Sequence, residues 1–261
     1  MSFPQEVKVG VLGATGTVGQ RFIVLLSNHP FFRIHALGAS SRSAGQPYGK
    51  VTKWKQIVPV PKGVRDMIVQ ECKSDAFKEC AVIFSGLDAE VAGDIELEFR
   101  AAELAVFSNA KNHRRDPVVP LIVPLGFDLH EKSPLRVSAT CTRVPVIEGH
   151  TESVSVRFAR RPPPSVTQAR EALEKYITEA QQLQCPSAPE QAIYVHDEVD
   201  RPQPRLDRDF QKGAGVNVGR LRECKVLDLK FVVLVNNVNL GAATSSIMNA
   251  EIAVAKKVID V

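Results

Sequence analysis

VKVGVLGATGTVGQRFIVLL, residues Val7 to Leu26, holds the reading that decides the architecture. The run Val7 to Leu12 has the length and continuous apolarity of a strand buried on both faces. A turn follows, with glycines at Gly13, Gly16 and Gly19, and then a helix whose apolar positions include Val18, Phe22 and Leu25 or Leu26. The spacing GxxGxxG is a looser relative of GxGxxG. Glycines at such a turn let the backbone bend sharply and approach a pyrophosphate, and the free N–H groups at the helix start attract its charge. The strand, turn and helix together therefore predict a dinucleotide site. A tight turn that serves packing alone is the competing explanation.

Outward from this unit, RIHALGAS reads as a second strand ending in Ser40, Ser41, Arg42 and Ser43. A carboxylate at that place would meet the ribose 2′-hydroxyl of NAD, and none is there. Hydroxyls with a guanidinium suit a 2′-phosphate, so NADP is the expected coenzyme, against the alternative of a solvated serine loop. Further strand-like runs at Met67 to Gln70, Ala81 to Ser85, Leu104 to Ser108 and Pro120 to Val123 alternate with helical patterns, notably near Asp88 to Ala102. That alternation predicts a doubly wound parallel sheet. Ligands in such sheets lie beyond the carboxyl ends of the strands, where FSGLDA and SNAKNHRRD fall. Lys111, Arg114 and Arg115 in the latter fit a small anionic substrate, or equally a solvated basic loop.

The bulk numbers agree with an intracellular globular protein. At 261 residues the chain is long enough for two modest domains. Its net charge of +4 is spread rather than gathered into a stripe, which argues against nucleic acid as a partner. No apolar run approaches bilayer length and MSFPQEVK has no signal-peptide core, so a soluble, cytoplasmic protein without membrane partners is expected. Cys72, Cys80, Cys141, Cys185 and Cys224 form no CxxC and read as reduced thiols, with no metal site.

From Thr151 the period becomes two, with Val154, Val156 and Phe158 alternating with polar residues, as in a half-buried strand. Ser165 and Gln168 form a capping box before an apolar stripe of Val166, Ala169, Leu173, Tyr176, Ile177, Ala180 and Leu183, read as core. AIYVH, VGRLREC and VLDLKFVVLVNN supply strands, the last with Leu227, Leu229, Phe231, Val233 and Val235 on one face. His196, beside Asp197, Glu198 and Asp200, reads as a solvated strand end, because adjacent strand residues point to opposite faces and cannot share a metal. GAATSSIMNAEIAVAKKVI closes the chain as a helix.

GVLGATGTVGQRF, SSRSAG, FSGLDA, SNAKNHRRDPVVPL, CTRVPVIEGHTESVSV, PRLDRD, VGRLREC and the closing GAA…NAE helix together resemble aspartate-semialdehyde dehydrogenase of the fungal kind, nearly end to end. The resemblance implies a Rossmann-type NADP domain, residues 1–125 plus 238–261. A shortened α+β catalytic and dimerisation domain with a mixed sheet would occupy 126–237. It implies a homo-oligomer, and reversible NADPH-dependent reductive dephosphorylation of L-aspartyl 4-phosphate to the semialdehyde, on the way to lysine, methionine and threonine. By the same resemblance Gly13, Thr15, Gly16, Thr17 and Val18 form the dinucleotide turn. Ser40, Arg42 and Ser43 surround the 2′-phosphate, and Ser85, Gly86 and Asn109 line the coenzyme cleft. Arg114 would hold the phosphoryl group, Arg143 the α-carboxylate, and His150 would be the general base.

One part of the pattern is missing. The family carries its nucleophilic cysteine in an Asn-Cys motif that opens a helix after VPL, and no Asn-Cys dipeptide occurs here. The chain passes from IVPL into GFDLHEKSPLRVSATC, so the resemblance breaks near Leu125 to Gly126. Leu240 also stands where relatives usually have arginine. Cys141 shares strand parity with Arg143, but no helix start is evident there to activate it. The expectation is a family member with little or no activity. The alternatives are a non-catalytic NADP-binding protein, or an enzyme like N-acetylglutamyl-phosphate reductase. A short-chain reductase is excluded, since Tyr48, Tyr176 and Tyr194 have no lysine four residues on.

Overall fold

The computed structural model describes residues 3–124 and 136–259. In chain order the elements of the first half are β1 (Val7–Leu12), α1 (Thr17–Leu26), β2 (Phe32–Ala39), α2 (Tyr48–Val51), α3 (Lys62–Arg65), β3 (Gln70–Glu71), β4 (Val82–Ser85), α4 (Ala89–Ala101) and β5 (Ala105–Ser108). The second half adds β6 (His150–Val156), α5 (Val166–Glu174), α6 (Glu179–Gln182), β7 (Ile193–Val195), α7 (Pro204–Asp207), β8 (Val216–Glu223), β9 (Leu229–Val235) and α8 (Thr244–Ala255). The chain divides into two units. The first takes residues 1–122, 179–188 and 238–261, and the second takes 123–178 and 189–237.

The first unit is a parallel sheet in the order β3-β2-β1-β4-β5. Strand parity sorts its side chains onto two faces. Val7, Val9 and Val11 of β1, with Val82 and Phe84 of β4, join Phe22 and Ile23 of α1 and Ile247 and Ala250 of α8 in one core cluster. Leu12 and Ile83 point the other way, to Phe77 and Phe99. In β2 the inward parity changes midway, from Phe32 to Leu37 and Ala39, because the pairing with β1 slips one residue between Val9 and Gly10. Both faces are thus covered, as a doubly wound sheet requires.

The segment 179–188, expected in the second unit, belongs with the first. Its Ser187 backbone N–H and hydroxyl both donate to Glu251 of α8, and Lys256 pairs with Glu179 at 2.7 Å. These contacts join residues far apart in the chain, which local periodicity does not register. Pro120 to Val123 is not a strand. Prolines at 117, 120 and 124 remove three ladder donors in eight residues, and Leu121, Ile122 and Val123 are exposed.

The second unit is a mixed sheet in the order β6-β9-β8-β7. β9 is antiparallel to both neighbours, and β8 runs parallel to β7. The Ser165 and Gln168 capping box forms as read, with Gln168 N donating to Ser165 Oγ at 3.2 Å and Ser165 N donating to Gln168 Oε1 at 2.9 Å. The stripe it opens is shorter than expected. α5 stops at Glu174 and has no buried residue, Ile177 is exposed, and only Leu173 and Tyr176 lean on the cluster of Ile193, Val195 and Val218. In β9 both parities are half-covered. Leu234, on the face opposite Phe231 and Val233, is its most enclosed side chain, while Leu227 lies in the turn before the strand.

His196 is buried rather than solvated. Its Nε2 meets Asn217 Oδ1 at 3.0 Å and its ring packs edge-on to Tyr194, so a cross-strand partner replaces water. Among the described residues no group of histidine, cysteine and carboxylate side chains is placed to hold a metal, and no helix is long and apolar enough to cross a membrane.

Candidate dinucleotide cleft and active-site residues

At the carboxyl ends of β1, β2, β3 and β4 the first unit opens a cleft of about 600 Å³. Gly13, Thr15, Gly16, Thr17, Val18, Ser40 and Gly86 all line it. Gly13 has φ of +67°, a conformation that side chains with a Cβ rarely adopt, and its carbonyl closes the turn onto Gly16 N at 2.9 Å. Gly16 then caps α1, whose first turn contains no acidic residue, so its free N–H groups present unopposed positive charge. Gly19 serves a different purpose. A Cβ there would collide with the Gly13 carbonyl, its C atom being 2.7 Å away, so glycine lets the helix pack on its own turn. Gly19→Ala is expected to push α1 off the turn and weaken coenzyme binding at least about 100-fold. Titration followed by nicotinamide fluorescence checks this, and wild-type affinity in the variant contradicts the packing argument.

Other expected cleft residues have different surroundings. Ser85 is buried beneath the cleft, where it and Ser108 each donate to Glu96 Oε1 at 2.6 Å, so it braces the ends of β4 and β5. Arg42 and Ser43 lie outside the lining, in a turn closed by Ser43 N donating to Ser40 O at 2.9 Å. Asn109 accepts from Arg114 Nη2 on its backbone oxygen at 2.8 Å, while its own Oδ1 is buried without a hydrogen-bond partner among the described residues. Such an orphaned acceptor fits a group supplied by a ligand. The sequence reading missed Lys55, Glu71, Cys72, Lys73 and Asp88, which also line the cleft. Asp88 was within reach of that reading as the residue before α4. Glu71 and Lys73 were not, because the pairing of β3 with β2 sets Glu71 beside Ala39 and brings the chain that follows it to the cleft.

Arg114 is an exposed residue of the first unit. Arg143 and His150 belong to the second. Arg143 is exposed in a stretch without regular structure, and His150 is exposed as the first residue of β6, opposite Val235. Gly149 before it, with φ of +119°, packs against Pro204 and Leu234, and its N–H donates to Asn237 Oδ1 at 2.8 Å. The backbone entering His150 is therefore fixed. The expected break at Leu125 to Gly126 lies outside the described residues.

The thiols differ in character. Burial pushes Cys80 and Cys185 up to about 12 and also raises Cys72, whose Sγ lies 3.6 Å from Ala39 O. Backbone N–H groups of Leu227 and Val226 hold Cys224 below the usual thiol range, in the turn between β8 and β9. Cys141 is exposed.

A parallel sheet with a glycine-turn cleft at its switch point, joined to a mixed-sheet unit, defines a two-domain Rossmann-type dehydrogenase. Two protein-family models match the chain, "semialdehyde dehydrogenase, NAD binding domain" over residues 8–127 and "semialdehyde dehydrogenase, dimerisation domain" over residues 128–240. The chain is 47% identical to the aspartate-semialdehyde dehydrogenase of Cryptococcus neoformans over 364 positions, covering 99% of this chain and 100% of that one. It is 39% identical to that of Saccharomyces cerevisiae, covering 96% and 98%. The crystal structure of the Candida albicans aspartate semialdehyde dehydrogenase with NADP superposes with a TM-score of 0.91 at 41% identity, covering 97% of this chain and 100% of that one. The chain belongs to the aspartate-semialdehyde dehydrogenase family. The Cryptococcus alignment runs about a hundred positions beyond the 261 residues present here.

Proposed function

We propose that the chain is an NADP-binding aspartate-semialdehyde dehydrogenase in which the groups that grip coenzyme and substrate remain while the covalent step is lost or severely impaired. The α1 amides and the Gly13 to Val18 turn fit a pyrophosphate, and Ser40 with its neighbours fits the ribose phosphate. When bound, NADP supplies the hydride acceptor. The family substrate carries an α-carboxylate at one end, and its aspartyl phosphate form adds an anionic phosphoryl group at the other. Arg114 suits its phosphoryl group and Arg143 its α-carboxylate, each as a planar fork of donors. His150 suits the proton transfer, since imidazole changes charge near neutral pH. None of these groups forms the carbon–sulfur bond that turns the aldehyde into a hydride donor.

One observation carries the reading. Among the described residues a single thiol, Cys72, lines the cleft, and it is buried at the β3 end with its pKa raised, where a nucleophile needs the thiolate. The β2 and β3 ends are the adenosine side of such a cleft, away from the reacting carbon. NADPH is expected to saturate the protein in a nicotinamide-fluorescence titration, with NADH at least about tenfold weaker. Equal affinities would refute the coenzyme assignment.

The match of residues 128–240 to a dimerisation-domain model supports a homo-oligomer formed through the second unit. Val144, Val146 and Ile147 are exposed there, and partial coverage of both β9 faces leaves further apolar surface. Self-association at micromolar concentration is expected in sedimentation, and a strictly monomeric species contradicts it.

A further inference from the structure

Gln20 is fully buried in α1, and its amide is spent on the chain on either side of the cleft. Nε2 donates to Thr15 O at 2.9 Å and to Lys53 O at 3.0 Å, with a longer contact of 3.4 Å to Thr52 Oγ1. Oε1 accepts from Lys55 N at 2.8 Å. Gln56 Nε2 adds a contact to Thr17 O at 3.4 Å. A buried amide with its donors and acceptor satisfied holds its partners in one arrangement. Gln20 therefore fastens the strap of residues 52–56 to the glycine turn, and the residue so placed in the cleft wall is Lys55.

Charge explains what Lys55 is suited to do. At the β2 end Ser40 and Ser41 share the cleft with Glu71, which pairs across the ladder with Ala39. A dianionic phosphate there meets a like charge and binds only if a cation offsets it. Lys73 is partly committed, lying 3.6 Å from Glu98, whose carboxylate also accepts from Ser74 N at 2.9 Å. The Lys55 ammonium has no ion-pair partner among the described residues. Arg42, the cation expected from the sequence, lies outside the lining.

We propose that Lys55, placed by Gln20, is the cation that meets the phosphate on the coenzyme's adenosine ribose and so sets the preference for a phosphorylated dinucleotide. The proposal rests on the NADP reading above. The pyrophosphate is served by the α1 amides, so loss of the lysine acts on the ribose phosphate alone.

Calorimetric titration of the full chain with adenosine 2′,5′-bisphosphate and with 5′-AMP separates the two phosphates. Wild type is expected to prefer the bisphosphate. Lys55→Met, at an exposed position, is expected to fold and to cut that preference about tenfold or more, with 5′-AMP affinity kept, and Arg42→Met to cut it less. Gln20→Leu should lower the same ratio together with the melting temperature, whereas Lys55→Met lowers the ratio alone. An unchanged ratio in Lys55→Met, an equal loss for both ligands, or a larger loss in Arg42→Met overturns the assignment of Lys55 while leaving the coenzyme reading intact. A wild type without preference for the bisphosphate overturns the coenzyme reading and this proposal with it.

Discussion

Supplied with NADP, inorganic phosphate and aspartate semialdehyde, the chain is expected to turn over on the order of a millionfold more slowly than a full-length relative, a barrier higher by roughly 8 kcal/mol. The magnitude follows from what a covalent nucleophile contributes. The sulfur of an active thiol bonds to the aldehyde carbon, and only the adduct can give up its hydrogen as hydride. In the roles proposed for them Arg143 would orient an anion and His150 would accept a proton, and neither role adds that bond. Of the five thiols, Cys72, Cys80 and Cys185 are buried with raised pKa values, so little thiolate forms near neutral pH. Cys224 is favoured as thiolate but sits in a hairpin turn of the second unit, and Cys141 lies in an irregular exposed stretch. Initial rates of NADPH formation measure the effect. Turnover within about 100-fold of the relative, lost on mutating one of these cysteines, would identify a replacement nucleophile and end the proposal.

Glu251→Leu should destabilise the first unit by about 2–4 kcal/mol, the order of cost of leaving enclosed hydrogen-bond donors without their acceptor. The carboxylate is fully enclosed in α8. It lies 2.7 Å from His29 Nε2, and it accepts from the Ser187 backbone N–H at 3.1 Å and from the Ser187 hydroxyl at 2.7 Å. Phe32 N donates to His29 Nδ1 at 2.9 Å, which makes Nε2 the protonated nitrogen and hence a donor to Glu251. Leucine fills the space but leaves the buried His29 donor and the two part-buried Ser187 donors without their acceptor. By contrast Glu179→Gln, which removes the half-exposed pair with Lys256, should cost less than about 1 kcal/mol. Equilibrium denaturation compares the two, and equal losses would mean that the Glu251 cluster is not a joint of the fold.

Much of the first unit was legible in the sequence, because its signals are local. A continuous apolar strand, glycines at fixed spacing and a 3.6-residue period each lie within one window, and Val7 to Leu26 formed the strand, turn and helix read from them. The capping box at Ser165 is equally local. The failures share one cause. The stripe after Ser165 carries the right period, yet no residue of α5 is fully buried and only Ala180 beyond it is, since burial depends on the partner an element finds. His196 looked solvated beside three acids, and Asn217 on a neighbouring strand enclosed it.

The site divides along the same line. The glycine turn could be named from the sequence because its residues are consecutive and its backbone needs are intrinsic to glycine. Lys55, Glu71 and Lys73 could not, since a parallel ladder and one buried glutamine bring them to the cleft from separate stretches. The absence of an Asn-Cys dipeptide is likewise a fact of the sequence alone. What only the tertiary structure decided is how the remaining thiols fare. Burial and nearby backbone dipoles, rather than neighbours in the chain, set the free energy of a thiolate.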